Sequence, residues 1–172
     1  EALDAFARAS RGAQTGAIDE AAFATAVAAL KEEPDDEEHA TAVERVVAQA
    51  GAWKRAIDVF AAVAEEVVDE EAKKSLLFRV ARIEEAELED PDAAEAAYRK
   101  ILEIDPNDDI AQVGIEELKR LGGDAESLVD LLLEKAEKEG SRTERAAILR
   151  EVAQLYEEKL GSRDDAFVAW VQ

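Results

Sequence analysis

The stretch Asp90-Pro91-Asp92-Ala93-Ala94-Glu95-Ala96-Ala97-Tyr98-Arg99-Lys100-Ile101-Leu102-Glu103-Ile104-Asp105-Pro106 spells one short helix with its start and stop signals in place. Asp90 is a favourable N-cap, and Pro91 falls at the first helical position, where a missing N–H costs nothing. Ala94, Tyr98, Ile101 and Leu102 recur at helical spacing and predict one apolar face. Pro106 cannot continue a helix and biases Asp105 away from helical angles, so the element ends there.

Working outward, the rest of the chain repeats this grammar. Residues 1–10 predict a short helix with Leu3 and Phe6 inward, and Arg11 to Gly16 a loop. Asp19 to Glu33 predicts an alanine-rich helix (Ala22, Phe23, Ala26, Ala29, Leu30) stopped by Pro34. Asp36 caps the next, with Ala40, Val43, Val46, Val47 and Ala50 on one side, and Gly51 closes it. A helix from Ala52 carries Trp53, Ala56, Ile57, Phe60 and Ala64. Asp69 opens a long one to about Leu88, burying Leu76, Leu77, Val80, Ala81 and Ile83. Beyond the central helix, Asp108 to Leu121 is expected to bury Ile110, Ile115, Leu118 and Leu121, and Gly122-Gly123 closes it. Asp124 to Glu139 carries Leu128, Val129, Leu131, Leu132 and Ala136. Ser141 and Glu144 have the spacing of a capping box and open a helix through Leu149, Val152, Ala153, Tyr156 and Leu160. Gly161 ends that element, and Ser162 starts a last one. No stretch has the composition of a strand, and short connections place neighbours antiparallel.

A shift of 72 residues superimposes 18–100 on 90–172 without a gap, with roughly 19 of about 83 pairs identical. Pro34 falls on Pro106, Gly51 on Gly123, Val80-Ala81 on Val152-Ala153, Leu88 on Leu160, and Tyr98 on Trp170. Seventy-two residues hold two helix hairpins of about 36 each.

The offsets Ala94, Tyr98, Ile101 and Pro106 resemble the second helix of a tetratricopeptide repeat. Ala22, Ala26, Ala29 and Pro34 repeat them, and Ala166 and Trp170 begin them again. At the first-helix positions Phe78 stands where a bulky residue is expected, but Arg82 and Glu85 depart from that family, standing where a small residue and an aromatic are expected. The resemblance implies an all-α, right-handed α-solenoid of antiparallel hairpins, about four of them. It also implies a non-catalytic scaffold that binds a protein or peptide on its concave surface, where first helices lie. An internal spacer of a larger repeat protein, with no ligand of its own, is the alternative.

Composition narrows the partners. Forty-two acidic against 21 basic residues give a net charge of −21, a field that repels nucleic acid and anionic lipid. No apolar run approaches the ~20 residues that span a bilayer, so membrane insertion is not expected. Cysteine is absent, which removes disulfides and thiol chemistry without fixing the compartment. Methionine is absent too, as expected of a single repeat domain, 1–172, truncated at both ends. Cytoplasm is favoured over periplasm, which requires a signal peptide outside this stretch. Phe167, Val168, Trp170 and Val171 leave an apolar end through which copies could self-associate.

No cofactor, metal or catalytic residue is expected. His39 is the sole histidine and lacks a second imidazole or thiol to work with. Asp105, Asn107, Asp109 and Glu116 match calcium-loop spacing, but Ile110 stands where the loop needs glycine, so the acids read as helix caps. The candidate partner contacts are Arg79, Arg82 and Arg150, on the polar sides of first helices. Arg82 has Glu85 one turn away as a local counter-charge. Arg79 and Arg150 have no acid at three or four residues and need one from another helix, and a solvated surface is the simpler account of all three.

Overall fold

The computed structural model describes residues 17–171, and the expected helix over 1–10 lies outside them. Among the described residues there are nine helices and no strand: α1 (Glu20–Glu32), α2 (Glu37–Ala48), α3 (Trp53–Glu66), α4 (Glu70–Ala86), α5 (Pro91–Ile104), α6 (Asp109–Gly122), α7 (Ala125–Lys138), α8 (Arg142–Glu158) and α9 (Arg163–Val171). Two to four residues join each pair. Helices α1–α2, α2–α3, α3–α4 and α4–α5 pack in sequence, as do α7–α8 and α8–α9. The chain divides between Ala111 and Gln112 into two compact units.

The helix starts follow from side-chain chemistry. Asp19, Asp36, Asp69, Asp90, Asp124 and Ser141 each accept a backbone amide of the first turn. Each cap satisfies a donor that the helix itself cannot. At Ser141 the box is only half formed. Its hydroxyl accepts the Glu144 amide, but its own N–H donates to the Glu139 carboxylate at 2.7 Å, not to Glu144.

The helix ends obey the 72-residue period at the level of single hydrogen bonds. At the end of α4, the Leu88 N–H donates to the Ile83 carbonyl and Asp90 N–H to Glu84. At the end of α8, Leu160 donates to Leu155 and Ser162 to Tyr156. Each partner is displaced by 72. The left-handed residue that makes this cap is Gly161 (φ 68°) after α8 but Glu89 (φ 54°) after α4. Gly51 and Gly123, a second pair at the same separation, take φ 63° and 71°.

The core is lined with small residues. Ala40, Ala56, Ala64, Ala72, Ala81, Ala94, Ala97, Ala111, Ala136, Ala153, Ala166 and Ala169 are all buried, filled in by Leu30, Val43, Val47, Phe60, Leu76, Ile83 and Ile101. In the second unit Leu128, Val129 and Leu132 of α7 meet Val152 and Ala153 of α8 and Ala169 of α9. On α6 the expected face is corrected. Ile115 and Leu118 are buried as expected, but Ile110 and Leu121 are 68% and 81% exposed, and Ala111, one position on from Ile110, is buried instead.

Tyr98 occupies the centre of α5 as expected. It is 9% exposed, meets Phe78 edge to face with ring centroids 6.2 Å apart, and donates its hydroxyl to Glu85 at 2.7 Å. Arg99, one residue on, is well exposed and paired with Glu95 along the same helix. Between hairpins, Arg55 of α3 chelates Glu20 of α1 at 2.6 and 2.9 Å while stacking 4.2 Å above Phe23.

Two predictions test this frame by chemical unfolding. Tyr98→Ala is expected to cost about 3–5 kcal/mol and Tyr98→Phe about 1, while Arg99→Ala stays within about 0.5. Gly161→Ala adds a Cβ with nothing within 4 Å of it, so its cost of about 1–2 kcal/mol is purely that of the left-handed backbone. An alanine at 161 as stable as glycine would show that the cap does not hold its left-handed angle.

Candidate functional site

The first helices of successive hairpins, α2 and α4, together with the start of α6, border a cleft of about 640 Å³ in the first unit. Glu37, Thr41 and Glu44 come from α2; Glu71, Lys74, Ser75, Phe78, Arg79 and Arg82 from α4; Asp108 and Ile110 close the far end. Helical spacing puts the α4 residues on one side, because 71, 75, 78 and 82 recur at three and four residues. Phe78 and Ile110 supply apolar surface, Thr41 and Ser75 are uncharged polar residues, and the rest is charged.

The charges are paired across helices. Arg79, with a side chain only 15% exposed, donates to Glu44 Oε1 at 2.9 Å. It also reaches the Glu37 carbonyl at 3.5 Å. Arg82 donates to the other oxygen of the same carboxylate at 2.7 Å. Arg79 thus finds the acid it needs on another helix. Arg82 does not take Glu85, the local partner the sequence offers; Glu85 accepts the Tyr98 hydroxyl instead. Glu44 is 13% exposed and neutralises one of two guanidiniums, which leaves the exposed head of Arg82 as the outward charge.

Lys74 anchors the other half of the cleft. Its ammonium lies 3.0 Å from Glu71 and 3.3 Å from both Asp105 and Asp108, with its side chain 11% exposed. The hydrogen bond to Glu71 foremost, then those to Asp108 and Asp105, hold its pKa above the ordinary lysine value against the opposing effect of burial. Asp105 is held below the usual carboxylate range, first by the Asn107 backbone amide and then by Lys74. Asp108 caps α6 through the Ala111 amide. Of the residues with calcium-loop spacing, Asp105 is the C-cap of α5 and binds Lys74, Asp109 opens α6, and Glu116 pairs with Lys135.

In the second unit Arg150 is exposed on α8 and makes no ion pair among the described residues. Among the structural repeat positions, Ala94, Tyr98, Ile101 and Ala166 are buried, Ala22 and Pro34 are partly buried, and Pro106 follows the C-cap Asp105. Trp170 is 53% exposed although its repeat mate Tyr98 is buried. Lys74 is the residue that sequence reasoning missed. Its signal was a lysine on the buried side of α4, between Ala72 and Leu76, where a charge needs a paired carboxylate.

The shifts at Lys74 and Asp105 predict a pH profile. The raised lysine pKa contributes stability that is complete below the unfolded-state value of about 10.4 and disappears as pH climbs through the folded value. The lowered Asp105 pKa contributes above about 3.9 and is lost as pH falls through its folded value. The difference in melting temperature between the protein and Lys74→Met should therefore be flat across neutral pH and narrow at both extremes. A difference that widens in acid would contradict this pairing.

No family model matches the chain, and no curated protein matches it.

Proposed function

We propose that this chain is a non-catalytic scaffold, a right-handed, tetratricopeptide-like α-solenoid, whose protein or peptide partner lies along the first-helix face of α2, α4 and the start of α6. The observation that carries this reading is the cleft itself: about 640 Å³ bordered by successive first helices, with Phe78 and Ile110 as apolar contacts among oriented charges. Apolar anchors supply affinity in such surfaces and charges supply orientation. Three cations, Lys74, Arg79 and Arg82, face four carboxylates, Glu37, Glu44, Glu71 and Asp108, so the cleft suits a partner of mixed charge better than a purely acidic one. The spacer alternative draws on one observation, that Glu44 already occupies both Arg79 and Arg82.

The test uses a displayed library of random peptides selected on the chain. Ser75 lines the cleft and is exposed, so Ser75→Trp blocks it without touching an ion pair. Selected peptides should lose at least about tenfold in affinity for Ser75→Trp, some 1.4 kcal/mol, and none for Asp58→Trp, an exposed site on α3. Equal binding to both variants would remove the cleft as the binding surface, and a library that yields no binder favours the spacer.

A further inference from the structure

We propose that Glu33, Asp36 and His39 form a site for a divalent transition cation of the zinc class at the turn between α1 and α2. One ligand atom of each lies within 4.8 Å of the others, and His39 Nδ1 faces Glu33 Oε2 at 4.0 Å. The imidazole edge carries the independent signal. The His39 ring is 29% exposed, yet its Nδ1 atom is fully buried and has no hydrogen-bond partner among the described residues. A desolvated nitrogen with no partner is costly, and a cation held jointly with the two carboxylates satisfies it.

The donor set selects the ion. One imidazole with two carboxylates suits zinc and its first-row neighbours, whereas calcium and magnesium prefer all-oxygen sites. Ligand atoms at about 2.0–2.1 Å from a tetrahedral ion sit about 3.3–3.4 Å apart, so the three groups need to close by about 1.4 Å at most. Glu33, 67% exposed, can make that move. Asp36 keeps its Oδ1 on the Glu38 amide as N-cap of α2, which leaves Oδ2 for the ion. The first turn of α2 alone would oppose a cation. Glu33, however, is the C-cap of α1, and the two helix-end fields have opposite sign there. The surrounding net charge of −21 favours a cation further.

The experiment titrates zinc chloride into tag-free protein in excess magnesium, by calorimetry and by nitrogen NMR of the sole histidine. One saturable zinc per chain is expected, with the metal shift on Nδ1. Glu33→Gln and His39→Gln should each weaken binding by about tenfold or more, since even outer-shell partners of metal ligands are worth that much. Glu65→Gln, a remote exposed acid on α3, should change nothing. Both exposed-acid variants should melt with the wild type in chelator, which keeps the comparison clean if His39→Gln loosens the turn. Several weak sites competed away by magnesium, a shift on Nε2, or undiminished affinity in Glu33→Gln would each overturn the proposal.

Discussion

Burial of an alanine-lined seam between short helices is the constraint on which the rest of the structure depends. Helices of 9–17 residues are marginal alone, so each survives only by packing on a neighbour. Alanine at Ala56, Ala64, Ala94, Ala97, Ala153 and Ala169 lets helices approach closely, but it contributes little transfer energy of its own. The large side chains therefore sit between alanines: Phe60, Leu76, Ile83 and Ile101 fill the first unit and Leu132 the second. That arrangement fixes the hairpin length, because a seam of small residues has to meet a seam of small residues one hairpin on.

A chain with twice as many acids as bases then faces repulsion on every outer surface. Some of the basic side chains tie hairpins together. Arg55 to Glu20 and Arg79 to Glu44 both span 35 residues, close to one hairpin. In the second unit the tie between first helices persists with its sign reversed: Arg120 of α6 meets Glu151 of α8, where the first unit has Glu44 of α2 and Arg79 of α4. Glu151 is the repeat mate of Arg79, so the pair changed polarity while the helices stayed tied. Glu116, the repeat mate of Glu44, pairs instead with Lys135 of α7. Pairing between helices is thus kept where residue identity is not.

Helix existence and ends were legible because caps, prolines and glycines act locally. Asp90, Pro91 and Asp105 do at α5 what their side chains dictate anywhere. The face of α6 was legible only in part, since two stripes compete there. Ile115 and Leu118 were read correctly, but side-chain size favoured Ile110 and Leu121 over the buried Ala111. Tertiary packing chose the stripe with the small residue at its start. Glu89 was hidden for a different reason: glutamate announces no left-handed turn, and only its repeat mate Gly161 does. Of the cleft, the positions of Arg79 and Arg82 on a polar helix side were readable. The acid they share, Glu44, was not, because it lies 35 and 38 residues away on another helix. The cluster at Glu33, Asp36 and His39 escaped for want of geometry, as composition shows only a lone histidine.

Two departures from the expected first-helix residues, Arg82 and Glu85, make sense only together with Phe78. A tyrosine at position 98 needs a partner for its hydroxyl once it is buried. Glu85, standing where an aromatic is expected, provides it, and Phe78 closes on the ring edge. Glu85 accepts that hydroxyl through Oε2, while Arg82 pairs elsewhere. Arg82 is too large to bury where a small residue is expected, so it extends across to Glu44, which Arg79 also grips. The result couples the centre of α5 to the wall of the cleft through α4.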